Sequence, residues 1–372
     1  MVDLKTQYLN IKAEIDAAVI ECIGSTAYIN GPTVKSFQAS LEKYLDVNHV
    51  IPCANGTDAL QVAMMACGLQ PGDEVIVPAF TYVATAEVIA LLHLTPIIVD
   101  VDPNTFNVTA EIIEQAITPK TKAVVPVHLF GQTADMEPIL AVAKKHNLYV
   151  IEDTAQAIGS VYTFSDGTKK SAGTIGHIGT TSFFPSKNLG CYGDGGAMFT
   201  NDSDLNQKLR SVANHGQSTT QYYHDVVGCN SRLDSIQAAI LDIKLKYLDS
   251  YDAARNKVAD AYDAAFAAIE GIQTPVRAAN STHVFHQYTM RIADGKRDEL
   301  QKYLGEIGIP ARIYYPLPLD EQGAFKASAV IPTPLVTTQQ LCKEVLSLPI
   351  HTEMKEETLK QIIQGVLSFY KK

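Results

Sequence analysis

Lys187 lies in TSFFPSKNLGCYGDGG, after an apolar run and before four glycines in seven residues, Gly190, Gly193, Gly195 and Gly196. A lysine held among tight turns, away from a solvated helix face, suits chemistry that needs a neutral amine. Schiff-base formation is such a chemistry, because burial and neighbouring positive charge help the ammonium lose its proton. Most lysines are ordinary surface charges, so this one gains meaning only from its companions.

Asp153 ends the apolar run LYVIED. In open α/β sheets, ligands bind beyond the carboxyl ends of strands. Two roles fit an aspartate there. It can cap a helix, or it can face the nitrogen of a pyridine ring and keep that ring protonated, so that it draws electrons from a substrate carbon. In CANGTDALQ (53–61), Asn55, Gly56 and Thr57 make a turn into a helix. Free N–H groups at such a start bind phosphate, and glycine permits close approach. An ordinary capped turn has the same composition, and the segment matches neither a Walker loop nor a dinucleotide fingerprint. Tyr82, in FTYVATAE (80–87), can stack on a flat ring or pack in the core.

The elements that must position these residues are legible as short apolar runs alternating with helical patterns. The runs are HVIPC (49–53), DEVIVP (73–78), PIIVDVD (96–102), KAVVPV (122–127), LYVIED (148–153), TTSFF (180–184) and GAMFT (196–200). Several are apolar on both faces, as strands covered by helices on each side must be. The pattern predicts an α/β fold with a large, mostly parallel sheet. From Ser231, helical periodicity runs for almost forty residues without Gly or Pro and predicts one long helix or two nearly continuous ones. A smaller α/β unit follows, with strands at HQYTMRI and near PARIYY, a helix at KRDELQKYLGEI, and closing helices after Pro334 and Lys355. The N-terminal forty-odd residues read as a helix and a loop. The expected domains are 1–240, a large domain with an N-terminal arm, and 241–372, a linking helix with a small C-terminal domain.

Composition narrows the function. The chain has 372 residues and a formal charge of −10, a poor basis for non-specific nucleic-acid binding. The six cysteines form no CxxC pair, which points to reduced thiols and to neither a disulfide framework nor a metal site. No stretch has the roughly 18 consecutive apolar residues of a membrane span, and MVDLKTQYLN lacks the signature of an export signal. The expectation is a soluble cytoplasmic protein that binds neither membrane nor nucleic acid.

Phosphate cradle, ring-stacking aromatic, pyridinium partner and Schiff-base lysine together describe one site. The motifs that carry them resemble the DegT/StrS family of sugar aminotransferases, within the aspartate-aminotransferase-like fold (fold type I). The resemblance covers nearly the whole chain, from DLKTQY through YINGP, CANGTDAL, PGDEVIVPAFTYVATA, KAVVPVHLFGQTADM, VIEDTAQAIG, SFFPSKNLGCYGDGGAMFTN, NHGQ, GCNSRLDSIQAAIL and YYPLPL to LSLPIH. It implies pyridoxal 5′-phosphate (PLP) as cofactor, with Lys187 bonded to it and shuttling protons. Asp153 would meet the pyridine nitrogen, Gln156 the ring hydroxyl, and Tyr82 the ring face. Gly56, Thr57 and Ser182 would bind the phosphate. Asn230 would reach the cofactor phosphate of a neighbouring subunit, which implies a homodimer with shared sites. Arg232, Tyr314 and Tyr315 would lie near a nucleotide sugar, with L-glutamate as amino donor.

Within the family, CANGTDALQ, PSKNLGCYGDGGA and GCNSRLDSIQAAIL look most similar to the UDP-2-acetamido-2-deoxy-3-oxo-D-glucuronate aminotransferases, a resemblance that implies polysaccharide (O-antigen) biosynthesis. One departure bears on the sugar: Tyr314-Tyr315-Pro316 stands where that branch commonly has His-Tyr-Pro. Another 3-keto or a 4-keto-6-deoxy nucleotide sugar is the alternative substrate. Dehydratase relatives carry histidine in place of the lysine, and a non-catalytic sensor on the same fold would be expected to lose Lys187 or Asp153. Both residues are present.

Overall fold

The computed structural model describes residues 1–371. Three helices, α1 (Leu4–Asn10), α2 (Lys12–Ser25) and α3 (Pro32–Leu45), occupy the N-terminal stretch where the sequence predicts one helix and a loop. Asp3 caps α1 by accepting from the Thr6 amide, and Pro32 opens α3 directly after Gly31. Only Ile11 separates α1 from α2, and α1 spans too few turns to show a helical period.

Nine strands precede residue 201: β1 (His49–Cys53), β2 (Glu74–Pro78), β3 (Thr95–Val99), β4 (Thr121–Val124), β5 (Tyr149–Asp153), β6 (Val161–Thr163), β7 (Lys169–Ser171), β8 (Ile178–Ser182) and β9 (Gly196–Thr200). β6 and β7 form a small hairpin, and the other seven make one sheet in the order β1-β9-β8-β5-β4-β2-β3. Only β9 pairs antiparallel with its neighbours, β1 and β8. The remaining pairs are parallel. The mostly parallel α/β sheet is thus as expected, although β8 begins earlier than the run TTSFF suggests. Side chains alternate between two buried faces. Val75 and Val77 pack with helices α4 (Gly56–Ala66) and α5 (Ala84–Leu91), while Ile76 packs on the opposite side with α6 (Ala110–Gln115) and α7 (Met136–His146). Burial on both faces explains why these strands read as continuous apolar runs.

After α8 (Ser203–Ala213), the long helical pattern resolves into α9 (Ser235–Leu245) and α10 (Leu248–Phe266), parted only by Lys246 and Tyr247. Beyond them, β10 (Ile272–Gln273), β11 (Tyr288–Ile292) and β12 (Val345–Leu348) form an antiparallel sheet. α11 (Arg297–Glu306), α12 (Val336–Glu344) and α13 (Glu356–Tyr370) complete this half. Its core gathers Tyr262 and Phe266 of α10, Tyr288, Leu300, Leu346 and Val366. The strand predicted near PARIYY does not form. A single bridge between Arg312 and Ser347 takes its place, flanked by Pro310 and Pro316, which cannot donate to a ladder.

Candidate active site

The carboxyl ends of β1, β2, β5 and β8 open onto one cavity of about 520 Å³. Gly56, Thr57, Tyr82, Asp153, Gln156, Ser182, Lys187, Tyr314 and Tyr315 all line it. These nine residues span most of the sequence, and the sheet order brings them together. Asn230 and Arg232 do not join them. They line a neighbouring hollow with Ile29, Gly193, Asp234 and Gln237, and Asp194 borders both spaces.

Lys187 follows β8 in a loop whose backbone folds back on itself, with Phe183 N donating to Gly195 O at 2.7 Å and Lys187 N to Phe184 O at 2.8 Å. Part of the side chain opens into the cavity, but protein surrounds the amine. Burial lowers its pKa to about 8, against the opposing pull of Asp153. An amine in this range loses its proton far more readily than an exposed lysine.

Asp153 is the last residue of β5 and is buried. Its Oδ2 accepts from Thr85 Oγ1 at 2.9 Å, and its Oδ1 from Ala155 N at 3.1 Å. No α-helix starts at this strand end, so the capping alternative is removed. The adjacent Glu152 points to the other face, where it accepts from His128 Nε2 and from the amides of Gly173, Ile175 and Gly176. That set anchors the strand end and holds Asp153 toward the cavity. Gln156 is fixed at both ends of its amide: Oε1 accepts from Phe130 N at 2.8 Å, and Nε2 donates to Tyr315 OH at 3.0 Å.

Gly56 is the first residue of α4, after the N-cap Asn55, whose side chain accepts from Asp58 N. A Cβ on Gly56 would stand 2.7 Å from Ser182 Cβ. Only glycine lets the helix start and the end of β8 approach this closely, and the result is a cradle of free amides and hydroxyls suited to a phosphate. Tyr82 is 58 % exposed and lines the cavity, which sets aside core packing as its role.

The same cavity holds residues that sequence reasoning missed. Buried Thr81 Oγ1, His286 Nδ1 and Gln287 Oε1 have no hydrogen-bond partner within the chain, and all three residues line the cavity. Burial drives the His286 pKa well below its usual value, helped by the positive charges of Lys187 and Arg255. Thr85, in the first turn of α5, reaches Asp153 from behind the lining. His286 and Gln287 carry no local motif. The donor set suits a flat, phosphorylated pyridine: an amine to bond it, a carboxylate for its nitrogen, an amide beside Tyr315, a cradle for its phosphate and orphaned polar atoms still to be satisfied. Among the described residues there is no metal-ligating cluster, no two cysteines are joined, and no helix is long and apolar enough to cross a membrane.

Arg232 has no ion pair or side-chain hydrogen bond among the described residues, so nothing in its own chain engages the guanidinium.

Comparison with known proteins agrees with this chemistry. The chain is 46 % identical over 373 residues to a pleiotropic regulatory protein of Geobacillus stearothermophilus, covering 100 % of this chain and 98 % of that one. It is 44 % identical to the UDP-2-acetamido-2-deoxy-3-oxo-D-glucuronate aminotransferase of Pseudomonas aeruginosa, over 97 % of each chain. Other similar relatives are named for different amino sugars. The structure of NtdA from Bacillus subtilis with bound pyridoxamine phosphate superposes with a TM-score of 0.90 at 31 % identity, covering 98 % of this chain and 82 % of that one. The fold is that of fold type I PLP enzymes, and the cofactor is PLP. With the DegT/DnrJ/EryC1/StrS aminotransferase model matching residues 9–367, the chain belongs to that family and is a PLP-dependent sugar aminotransferase.

Proposed function

We propose that the protein moves the amino group of L-glutamate onto UDP-2-acetamido-2-deoxy-3-oxo-D-glucuronate, with Lys187 as the residue that bonds the cofactor and carries protons. The observation that supports this most is the placement of Lys187, depressed to about 8, in one cavity with Asp153 and the Gly56 cradle. PLP, when bound, supplies an electrophilic carbon and an electron sink for the bond being broken. The chain supplies the rest. Asp153, held by Thr85, keeps the ring nitrogen protonated. Gln156 orients the ring hydroxyl, Tyr82 covers the ring face, and Gly56, Thr57 and Ser182 take the phosphate. The Lys187 Nζ, when neutral, would accept the proton lost by the amine-bearing carbon as a general base and donate it again as a general acid.

The sugar assignment rests on the 44 % relative and on charge. A uronic-acid nucleotide brings two phosphates and a carboxylate to a protein of charge −10, so local cations must receive them. Arg232 is unpaired, and a guanidinium binds carboxylate or phosphate with two parallel hydrogen bonds. Asn230 and Arg232 sit outside the cavity of their own chain, which fits a homodimer in which this hollow completes the partner's site. Tyr314 lines the cavity as a neutral group, where a histidine could carry charge. The deciding experiment compares the 3-keto uronic acid with neutral 3-keto and 4-keto-6-deoxy nucleotide sugars, with glutamate as donor and the product mass as readout. Higher kcat/KM for a neutral sugar rejects the uronic acid and leaves the aminotransferase standing. Absence of amination on every sugar, by protein loaded with cofactor, favours a sensor.

A further inference from the structure

Helices α9 and α10 lie along the loop that carries Lys187, and three of their side chains grip it at alternate residues. Asp252 Oδ1 accepts from Asn188 Nδ2 at 2.8 Å. Lys244 Nζ donates to Gly190 O at 2.5 Å. Gln237 Oε1 accepts from Tyr192 N at 2.8 Å, and its Nε2 donates to Tyr192 O at 3.5 Å. The gripped positions, 188, 190 and 192, step by two along the loop. The gripping positions are Gln237 and Lys244, two turns apart on α9, and Asp252 on α10 beyond the two-residue break.

Glycines permit the close approach. A Cβ on Gly193 would stand 3.0 Å from Gln237 Nε2, and one on Gly159 would stand 2.3 Å from Asp252 Oδ2. Gly159 belongs to the turn that follows Asp153, so Asp252 hydrogen-bonds the Lys187 loop with one oxygen and packs closely against the Asp153 segment with the other. Arg255, one turn along α10, donates to the carbonyls of Phe285 and His286 at 3.0 and 3.3 Å, and Asn256 donates to His283 O at 2.9 Å. The cavity wall at His286 is therefore tied to the same helix.

The stripe is polar where an apolar one would cost less. Lys244 is 1 % exposed and Asp252 8 %. Burial pushes Lys244 down to about 8 and Asp252 up to about 7. Burying such groups is unfavourable unless specific partners compensate. The partners here are the backbone and side-chain groups of the lysine loop.

We propose that Gln237, Lys244 and Asp252 form a clamp of positioning residues that fixes the Lys187 amine relative to Asp153. The proposal rests on the reading of Lys187 as the cofactor-bearing residue. Lys244 and Asp252 line neither of the two hollows and act through the loop, while Gln237 also borders the hollow beside Asn230. A misplacement of about 1 Å at a reacting group can cost about a hundredfold in rate, which is the scale the clamp controls.

The test begins with borohydride trapping of the cofactor-loaded wild-type protein, followed by peptide mapping. A label absent from the Lys187 peptide removes the underlying reading, whatever the variants do. With the label in place, Asp252→Ala and Lys244→Met are compared with wild type per folded, loaded protein. The expected result is a kcat lower by about 10- to 100-fold, with KM for both substrates changed less than about threefold. The pH midpoint of the bound cofactor's visible absorption shifts as well, because it reads the surroundings of the amine. Asp252→Asn, which keeps a carbonyl oxygen facing Asn188, restores most of the lost turnover. If Asp252→Ala does not fold, Lys244→Met decides. Variants that fold and load, with unchanged kcat and absorption midpoint, overturn the clamp and leave the stripe a stabilising contact only.

Discussion

Thr85 Oγ1 donates to Asp153 Oδ2 at 2.9 Å, in a buried position behind the cavity lining. The threonine ties the carboxylate to α5. Thr85→Val should lower kcat roughly tenfold to a hundredfold, since hydrogen bonds to charged groups contribute about 1.5–3 kcal/mol. Asp153→Asn should bind cofactor but lose about a thousandfold or more in kcat, because the ring nitrogen then has no counter-charge. Steady-state rates at saturating cofactor check both. A loss below about tenfold in Asp153→Asn, equivalent to about 1.4 kcal/mol of barrier, would reassign the aspartate to a structural role.

Lys187→Ala should retain its fold by circular dichroism and lose transamination entirely, since no other lysine lines the cavity. Borohydride treatment should then leave no cofactor covalently attached. Near wild-type turnover in this variant would end the case for Lys187.

Burial of Lys187 also makes stability depend on pH. Its folded pKa is about 8 against 10.5 for a free lysine. Between those values the unfolded chain holds a proton that the folded chain has released, so stability of the cofactor-free protein rises with pH across that window. Below pH 8 both states are protonated and the full burial penalty remains. Lys187→Met should therefore be more stable than wild type at pH 7, with the gap shrinking toward pH 10. Urea midpoints of both proteins across this range measure it, and a constant gap would contradict the depressed amine.

Gly56→Ala should weaken cofactor binding by tenfold or more and destabilise the fold by about 1–3 kcal/mol, the range for overpacking a filled site. The added methyl meets Ser182 Cβ at 2.7 Å, so either the start of α4 or the end of β8 must shift. Cofactor titration followed by absorbance decides. Affinity equal to wild type would place the phosphate elsewhere.

Sharing of sites between subunits is checked by complementation. Mixed Lys187→Ala and Asn230→Ala subunits should recover activity, because one site of each heterodimer keeps both residues. Heterodimers that form and remain inactive would refute the shared arrangement.

The strands of the large sheet were legible because Val75, Ile76 and Val77 are buried on alternating faces and leave an unbroken apolar run. The long helical pattern after Ser231 was legible for the converse reason, since α9 and α10 keep one periodicity across their two-residue break. β12 was missed: VLSL follows α12 directly, with no turn residue between them, so nothing in the sequence marks the change of period. The strand expected at PARIYY failed because Pro310 and the following Pro316 cannot donate to a ladder. At the site, Lys187, Asp153 and Gly56 stand at strand ends or turns with recognisable composition. His286 and Gln287 reach the cavity only because the chain returns across it from the second half of the molecule, a long-range event without a local signal.

The antiparallel pairing of β8 with β9 has a consequence for the order of assembly. Phe183 and Gly195, twelve residues apart, close the lysine loop on itself, whereas its partners Gln237, Lys244 and Asp252 lie 45, 54 and 64 residues downstream of the positions they hold. Contacts between near neighbours in sequence form faster than distant ones. A chain emerging N-terminus first completes the hairpin while its brace is still unmade. Cofactor arriving at that moment meets an amine that is present but not yet aimed, so capture of the coenzyme becomes a late event in maturation. In refolding, the visible band of the bound coenzyme should lag behind the recovery of helix and sheet.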